Sequence, residues 1–210
     1  MTRQEDAASQ RREHWDDRYD TVGATAVSWF QNRPTASLDL IAKAGLERSA
    51  GLIDVGGGAS NLVDALLADG WSDVTVLDVS EVALGMARER VGADKPVRWI
   101  AQDLLTWQPL RRYDVWHDRA VFHFLVEAEQ RQRYRAVLGR ALAPTGTVIV
   151  GTFASDGPTH CSGLPVAHYD EGALVDALGG GFDLVASMRE EHVTPAGVVQ
   201  PFTWVALRGA

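Results

Sequence analysis

The chain has little sulfur that could cross-link it: its 210 residues hold one cysteine, Cys161. A lone cysteine excludes an internal disulfide and leaves too little thiolate for a cysteine-rich zinc site, so no metal is expected and a reducing compartment fits. Long apolar runs are missing too. No stretch approaches the roughly 20 apolar residues of a membrane span, and Met1 to Arg12 is polar and charged, without the apolar core of a secretory leader. These absences point to a cytoplasmic protein with no membrane partner. Positive charge is also short, and a formal net charge of −8 argues against a polyanion-binding surface. Arg131, Arg133, Arg135 and Arg140 alternate with Gln132, Tyr134 and Ala136 on a predicted helix. That pattern reads as a solvated helix face rather than a nucleic-acid patch.

What is present suits one globular domain with a substantial core: 46% of the residues are apolar and 23% charged, with no internal repeat, low-complexity segment or inter-domain linker. The expectation is a single domain over residues 1–210, with residues 1–45 as a helical cap and residues 51–210 as a sheet core. In the cap, residues 10–19 predict a helix that sets Trp15 and Tyr19 on one face, and a second helix follows Pro34 and stops near Gly45. From Gly51 compact apolar runs alternate with segments of helical period, the signature of a parallel sheet with helices on both faces. Strands are expected at 52–55, 74–77, 97–100, 113–116 and 147–152, and helices at 62–68, 82–91 and 128–142. Beyond Gly151 the order changes to a short helix at 171–178 and two strand-like runs, 182–192 and 200–207, joined by a turn at Thr194-Pro195-Ala196-Gly197.

The richest ten residues are Leu52-Ile53-Asp54-Val55-Gly56-Gly57-Gly58-Ala59-Ser60-Asn61. An apolar strand runs into glycines that let the backbone approach a ligand, and Ser60 or Asn61 can cap the helix that begins near Leu62. A ligand would lie at that helix N-terminus. The dinucleotide fingerprint G-x-G-x-x-G needs a third glycine where the chain has Asn61, which counts against a nicotinamide-dependent oxidoreductase. Strand two ends at Asp78, 24 residues after Asp54, where a carboxylate suits ribose hydroxyls, with Val79 beside it. Asp103 and Leu104 follow strand three, and Asp118 and Arg119 end strand four. Parallel strands bring their carboxyl ends to one sheet edge, so these acids converge.

The spacing Asp54-x-Gly56-x-Gly58-x-Ser60, together with Asp78, Asp103 and the closing hairpin, resembles the class I S-adenosylmethionine (SAM)-dependent methyltransferases over roughly residues 15–207. The resemblance implies an α/β fold, doubly wound around a mostly parallel seven-stranded sheet with a C-terminal antiparallel strand. It implies SAM as cofactor and S-adenosylhomocysteine as product. It also implies that Asp103 contacts adenine through its carboxylate, with Leu104 supplying a backbone donor. Trp15, Tyr19 and Trp29 are candidates to close the cofactor site. The segment Trp15-x-x-x-Tyr19 with Ser28-Trp29-Phe30 is similar to the small enzymes that methylate lysines of translation elongation factors, but those carry an Asp-Lys-Gly-Thr-like sequence where this chain has Asp118-Arg119-Ala120-Val121. A small-molecule acceptor is therefore expected ahead of a protein lysine, and a SAM- or nucleoside-binding protein without catalysis is the reading from another class.

Methyl transfer from a sulfonium is an in-line displacement, so positioning is the main task and a base matters only for a protonated acceptor. His123, just after strand four, is the candidate base. His117, Arg119, His160 and Cys161 are candidates for the acceptor pocket. Residues 156–165, rich in Gly, Pro and Ser, are expected to form a mobile lid rather than a strand.

Overall fold

The computed structural model describes residues 3–209. Its elements are α1 (Arg3–Val22), α2 (Thr35–Lys43), β1 (Leu52–Val55), α3 (Leu62–Ala68), β2 (Val74–Asp78), α4 (Glu81–Val91), β3 (Val97–Ala101), β4 (Tyr113–Arg119), a single 3-10 turn (Phe122–Phe124), α5 (Ala128–Ala141), β5 (Leu142–Phe153), β6 (His160–Cys161), β7 (Leu164–Pro165), α6 (Glu171–Leu178), β8 (Phe182–Val193) and β9 (Val199–Gly209). Seven strands form one sheet in the order β3-β2-β1-β4-β5-β9-β8. The first five of these are mutually parallel, and β9 runs antiparallel to both β5 and β8.

The apolar runs are buried on both faces because successive side chains alternate across the sheet. Ile53, Trp116, Val148, Val150, Val205 and Leu207 face the layer that carries α5 and α6, through Tyr134, Leu138, Leu174 and Leu178. Leu52, Val115, Ile149, Trp204 and Ala206 face the opposite layer, through Leu40, Ile41, Leu62 and Leu66 of α2 and α3. Strand order reverses at β1, which pairs with β2 on one side and β4 on the other. A crevice opens at such a switch point, beyond the carboxyl ends of the strands.

Three boundaries differ from the sequence expectation. Helix α1 starts at Arg3 instead of Gln10. Its early turns are polar all round and carry no apolar period, yet Glu5 and Asp6 in the first turn complement the helix dipole. Strand β5 starts at Leu142 because Leu142 pairs with Tyr113 across an irregularity between Tyr113 and Val115. The segment expected as a mobile lid contains a small hairpin, in which β6 and β7 pair through Cys161 and Leu164. Its tip, Ser162 at φ 49° and Gly163 at φ 78°, makes the two-residue turn with two positive φ values that closes tight hairpins.

A buried polar chain joins α5 to β4. The Trp116 indole Nε1 donates to the Tyr134 hydroxyl at 2.8 Å, and that hydroxyl donates to Asp118 Oδ2 at 2.8 Å. All three residues are fully buried. Tyr134→Phe would strand a buried indole N–H and a carboxylate oxygen, so we expect it to cost about 2 kcal/mol, read as a lowered midpoint in urea unfolding with unchanged slope.

Candidate active site

The turn after β1 is set by backbone geometry. Gly56 adopts φ +65° and Gly58 φ +45°. A Cβ on Gly56 would fall 2.0 Å from Val121 Cγ2, and one on Gly58 would fall 2.8 Å from the Tyr19 hydroxyl and 3.1 Å from Asp78 Oδ2. Only glycine allows both the conformation and the approach. Ser60 Oγ then accepts from Leu62 N at 3.1 Å at the start of α3, whereas the Asn61 side chain turns away and donates to the carbonyls of Gln31 and Asn32. Asn61 therefore ties the segment before α2 to the glycine turn instead of capping the helix.

Over this edge lies a cavity of about 970 Å³, its open mouth included. Its lining contains Trp15, Tyr19, Trp29, Gly56, Asp78, Val79, Asp103, Leu104, Arg119, His123 and Cys161 of the expected residues. A smaller cavity beside it is lined by Asp54, Gly57, Ser60 and His117, and shares Tyr19, Trp29, Gly56 and Arg119 with the larger one. The structure thus gathers both halves of the expected site around one turn, though Gly58 itself lines neither cavity.

The carboxylates differ in what they already hold. Asp78 is buried, and its Oδ1 accepts from Ser80 N at 2.8 Å. Burial pushes its pKa up to about 7, against the pull of amide donors from Ser80, Gly58 and Val79 and with the help of Asp54. The helix-cap role falls to Ser80, whose Oγ accepts from Ala83 N at 3.0 Å. Asp54 is bonded to His117 Nδ1 at 2.7 Å, and His117 Nε2 meets Ser37 Oγ at 2.9 Å, all buried. His117 is therefore a brace between β1, β4 and α2 that borders the smaller cavity, and it does not line the larger one. Asp103 Oδ2 accepts from Arg11 Nε at 2.5 Å and Oδ1 from Leu105 N at 2.8 Å. An adenine amine reaching Asp103 would share or displace Arg11. That ion pair is partly exposed and worth at most about 1 kcal/mol.

Three expectations are corrected. Asp118 was expected to hold the cofactor, but its carboxylate lines neither cavity; it accepts from Val121 N at 3.0 Å, Phe122 N at 3.4 Å and the Tyr134 hydroxyl. It is a fully buried structural acid, pushed up to about 6 by desolvation. His160 is exposed, its ring meets the hydroxyl of its neighbour Thr159 at 3.1 Å, and it lies outside both linings. His123 was expected as a base, yet its Nδ1 accepts from Phe153 N at 3.3 Å. The ring proton consequently sits on Nε2, and burial with the nearby Arg119 charge pushes the pKa down to about 3. A neutral imidazole whose free nitrogen carries the proton donates a hydrogen bond and cannot accept one.

Cys161 lies in the cavity wall, buried, with its thiol pushed up by desolvation and so kept protonated. Sequence reasoning missed Arg11, Phe124, Phe153, Gln200 and Phe202 of the lining. Arg11 was within reach, since it stands four residues before Trp15 and eight before Tyr19 on the same helical face. Phe153 and Phe202 are direct partners across β5 and β9, and that register carries no local sequence signal.

Residues 53–148 match the family model described as "Methyltransferase domain". A curated relative, trans-aconitate 2-methyltransferase of Azoarcus sp. (strain BH72), is 31% identical over 111 residues, which is 53% of this chain and 41% of that protein. The chain thus spans less than half the length of that relative. Among solved structures, the 1,6-didemethyltoxoflavin-N1-methyltransferase of Burkholderia thailandensis, with its substrate and S-adenosylhomocysteine bound, superposes with a TM-score of 0.72 at 23% identity, covering 100% of this chain and 91% of the other. The N-methyltransferase NodS of Bradyrhizobium japonicum WM9, bound to S-adenosylhomocysteine, gives 0.71 at 16% identity, covering 92% and 97%. The fold is that of class I methyltransferases. Asp78→Ala is expected to weaken S-adenosylhomocysteine binding by about 1–3 kcal/mol through loss of a charged acceptor, measured by calorimetric titration against wild type.

Proposed function

We infer that this chain is a class I S-adenosylmethionine-dependent methyltransferase, from the methyltransferase-domain match and the shared fold. It moves the methyl group of SAM to an N, O or S atom of a small-molecule acceptor and leaves S-adenosylhomocysteine. The observation that carries this reading is the meeting of the glycine turn, the Asp78 carboxylate and an aromatic enclosure in one cavity. The residues fit the cofactor's chemistry. Asp78 Oδ2 stands beside the glycine turn, where it can accept from ribose hydroxyls. Val79, Leu104 and Leu105 offer apolar surface to a purine next to Asp103.

When bound, SAM supplies an electrophilic methyl on a sulfonium; the protein's part is binding, orientation and exclusion of water. Exclusion falls to α1. Trp15 packs edge-on against Trp29 at 5.6 Å and Phe124 at 5.2 Å, and the Trp29 indole donates to the Tyr19 hydroxyl at 3.1 Å. An enclosure walled by Trp15, Trp29 and Phe124 suits a small acceptor, which favours the small molecule. The relatives named above, for trans-aconitate and for didemethyltoxoflavin, act on small molecules by their names. Neither His123, which carries its proton on the free nitrogen, nor Cys161, which stays a thiol, offers a base, so the acceptor atom arrives already deprotonated.

The raised pKa of Asp78 gives this reading a pH signature. A carboxylate must be ionised to accept two ribose hydroxyls, while bare Asp78 is half protonated near pH 7. Binding S-adenosylhomocysteine therefore releases a proton, and affinity rises as pH goes from 6 to 8. In the unliganded protein the sign is opposite for stability: a folded pKa above the unfolded one stabilises at low pH and is lost as pH passes through about 7. Calorimetry in buffers of different ionisation enthalpy should detect the released proton in wild type and none in Asp78→Asn. NAD titrated in parallel should give no heat; NAD binding in place of S-adenosylhomocysteine would sink the assignment.

A further inference from the structure

The cavity wall contains buried hydrogen-bond donors without a partner among the described residues. Arg119 stands at the end of β4, where its Nη1 donates to the Trp29 carbonyl at 2.9 Å and its guanidinium lies 4.9 Å from the centre of the Phe202 ring. Its Nε and Nη2 are buried and, among the described residues, have no hydrogen-bond partner. His123 Nε2 is in the same condition, on a fully buried ring. Both side chains line the larger cavity and both flank Phe202, the histidine ring lying 6.4 Å from it. Because Nδ1 is occupied by Phe153 N, Nε2 presents an N–H.

Neighbouring acids do not answer this charge. Glu190 acts on Arg119 through space but accepts from Gln31 Nε2 and Trp204 Nε1. Asp54 also acts on it but is bonded to His117. Arg18 of α1 adds another buried Nε without a partner, and both arginines act on the Cys161 thiol. A buried guanidinium with no ion-pair partner is costly to maintain, and its fork of parallel N–H groups matches a carboxylate.

We propose that Arg119 and His123 form a carboxylate-binding site and that the methyl acceptor is a small carboxylic acid with an apolar or unsaturated body. This rests on the methyltransfer reading for the word acceptor; the site itself stands on the unused donors. Arg119 also borders the smaller cavity with Asp54 and Gly57, but the two donors together lie on the β4 side of the proposed cofactor positions. The ribose and purine positions belong to β1, β2 and β3, whereas His123 is bonded to β5 and Arg119 lies over Phe202 of β9, beyond β4. Phe124, Phe153 and Phe202 supply the apolar wall around the two donors.

Phenylacetate and trans-aconitate serve as probes, with phenylacetamide as the neutral control, titrated into the protein with and without S-adenosylhomocysteine. We expect at least one carboxylate to bind, phenylacetamide to bind at least tenfold more weakly than phenylacetate, and Arg119→Gln to weaken the bound carboxylate tenfold or more while S-adenosylhomocysteine affinity stays within twofold. His123→Phe should weaken the carboxylate at least threefold, and together with the wild-type comparison it decides the matter if Arg119→Gln does not fold. Absence of binding by both carboxylates, equal binding of acid and amide, or carboxylate affinities unmoved by the substitutions would overturn the site. A tenfold loss of S-adenosylhomocysteine affinity in Arg119→Gln with carboxylate binding intact would overturn it too, by assigning Arg119 to the methionine tail. Wild type that binds a carboxylate but no S-adenosylhomocysteine would keep the site and remove the methyltransfer reading.

Discussion

Asp118 is the residue on which the active edge turns. Its carboxylate is fully buried at the end of β4 and collects two backbone amides and the Tyr134 hydroxyl. Those amides can reach it only because the chain reverses at Ala120, which takes the left-handed φ of 68° and donates its N–H to the Gly151 carbonyl at 2.8 Å. A non-glycine residue in that region is strained by roughly 1–2 kcal/mol, and such strain persists where surrounding bonds over-determine it. Arg119 precedes the reversal and His123 follows it, so one buried acid orders the segment that carries both donors into the cavity wall. Desolvation raises its pKa to about 6, a cost set against the order it imposes.

The lid over the cavity is held differently. Helix α1 touches the sheet edge through polar contacts: Asp16 accepts from Ser80 Oγ at 2.6 Å and from Val82 N at 3.3 Å, at the N-terminus of α4, and Arg11 pairs with Asp103. A carboxylate at a helix N-terminus is favoured by the dipole, by about 0.3–1 kcal/mol. Each polar tie is weak compared with the packed core beneath, and α1 is held as well by a buried cluster in which Tyr19 packs with Val27, Ala59 and Ala83. The aromatic contacts of Trp15 and Tyr19 give the closed position its shape.

Much of this was legible in the sequence because it follows from period and spacing. Leu52–Val55, Val74–Leu77 and Thr147–Thr152 read as buried strands, the parallel order followed, and the strand-end position of Asp78 read as a place for ribose hydroxyls; Asp78 lines the larger cavity. What could not be read was the partner of each polar group. Asp54, Asp103 and Asp118 look alike as acids at strand ends, yet one braces His117, one is held by Arg11 and one is sealed under a turn. Those outcomes depend on contacts across 63, 92 and 16 residues of chain. His123 failed as a base for the same reason: its tautomer is set by Phe153 N, 30 residues away. The polar start of α1 and the Ser162-Gly163 hairpin tip were missed because neither carries an apolar period.

The charges of the cavity are arranged by sheet position. Carboxylates cluster over β1, β2 and β3, where Asp54, Asp78 and Asp103 lie, and the unpaired guanidinium lies beyond β4. On the proposed reading a sulfonium is attracted to the first group and a carboxylate to the second, so the same field would order a cationic donor and an anionic acceptor on either side of the glycine turn. Between them the walls are largely aromatic, and an apolar wall lowers the local dielectric and strengthens attraction between opposite charges. Transfer of a methyl group from a cation to an anion consumes both charges. An apolar enclosure favours such a charge-dispersing transition state over solvated reactants, and it does so without a proton to move, in keeping with a site whose histidine donates and whose cysteine stays a thiol.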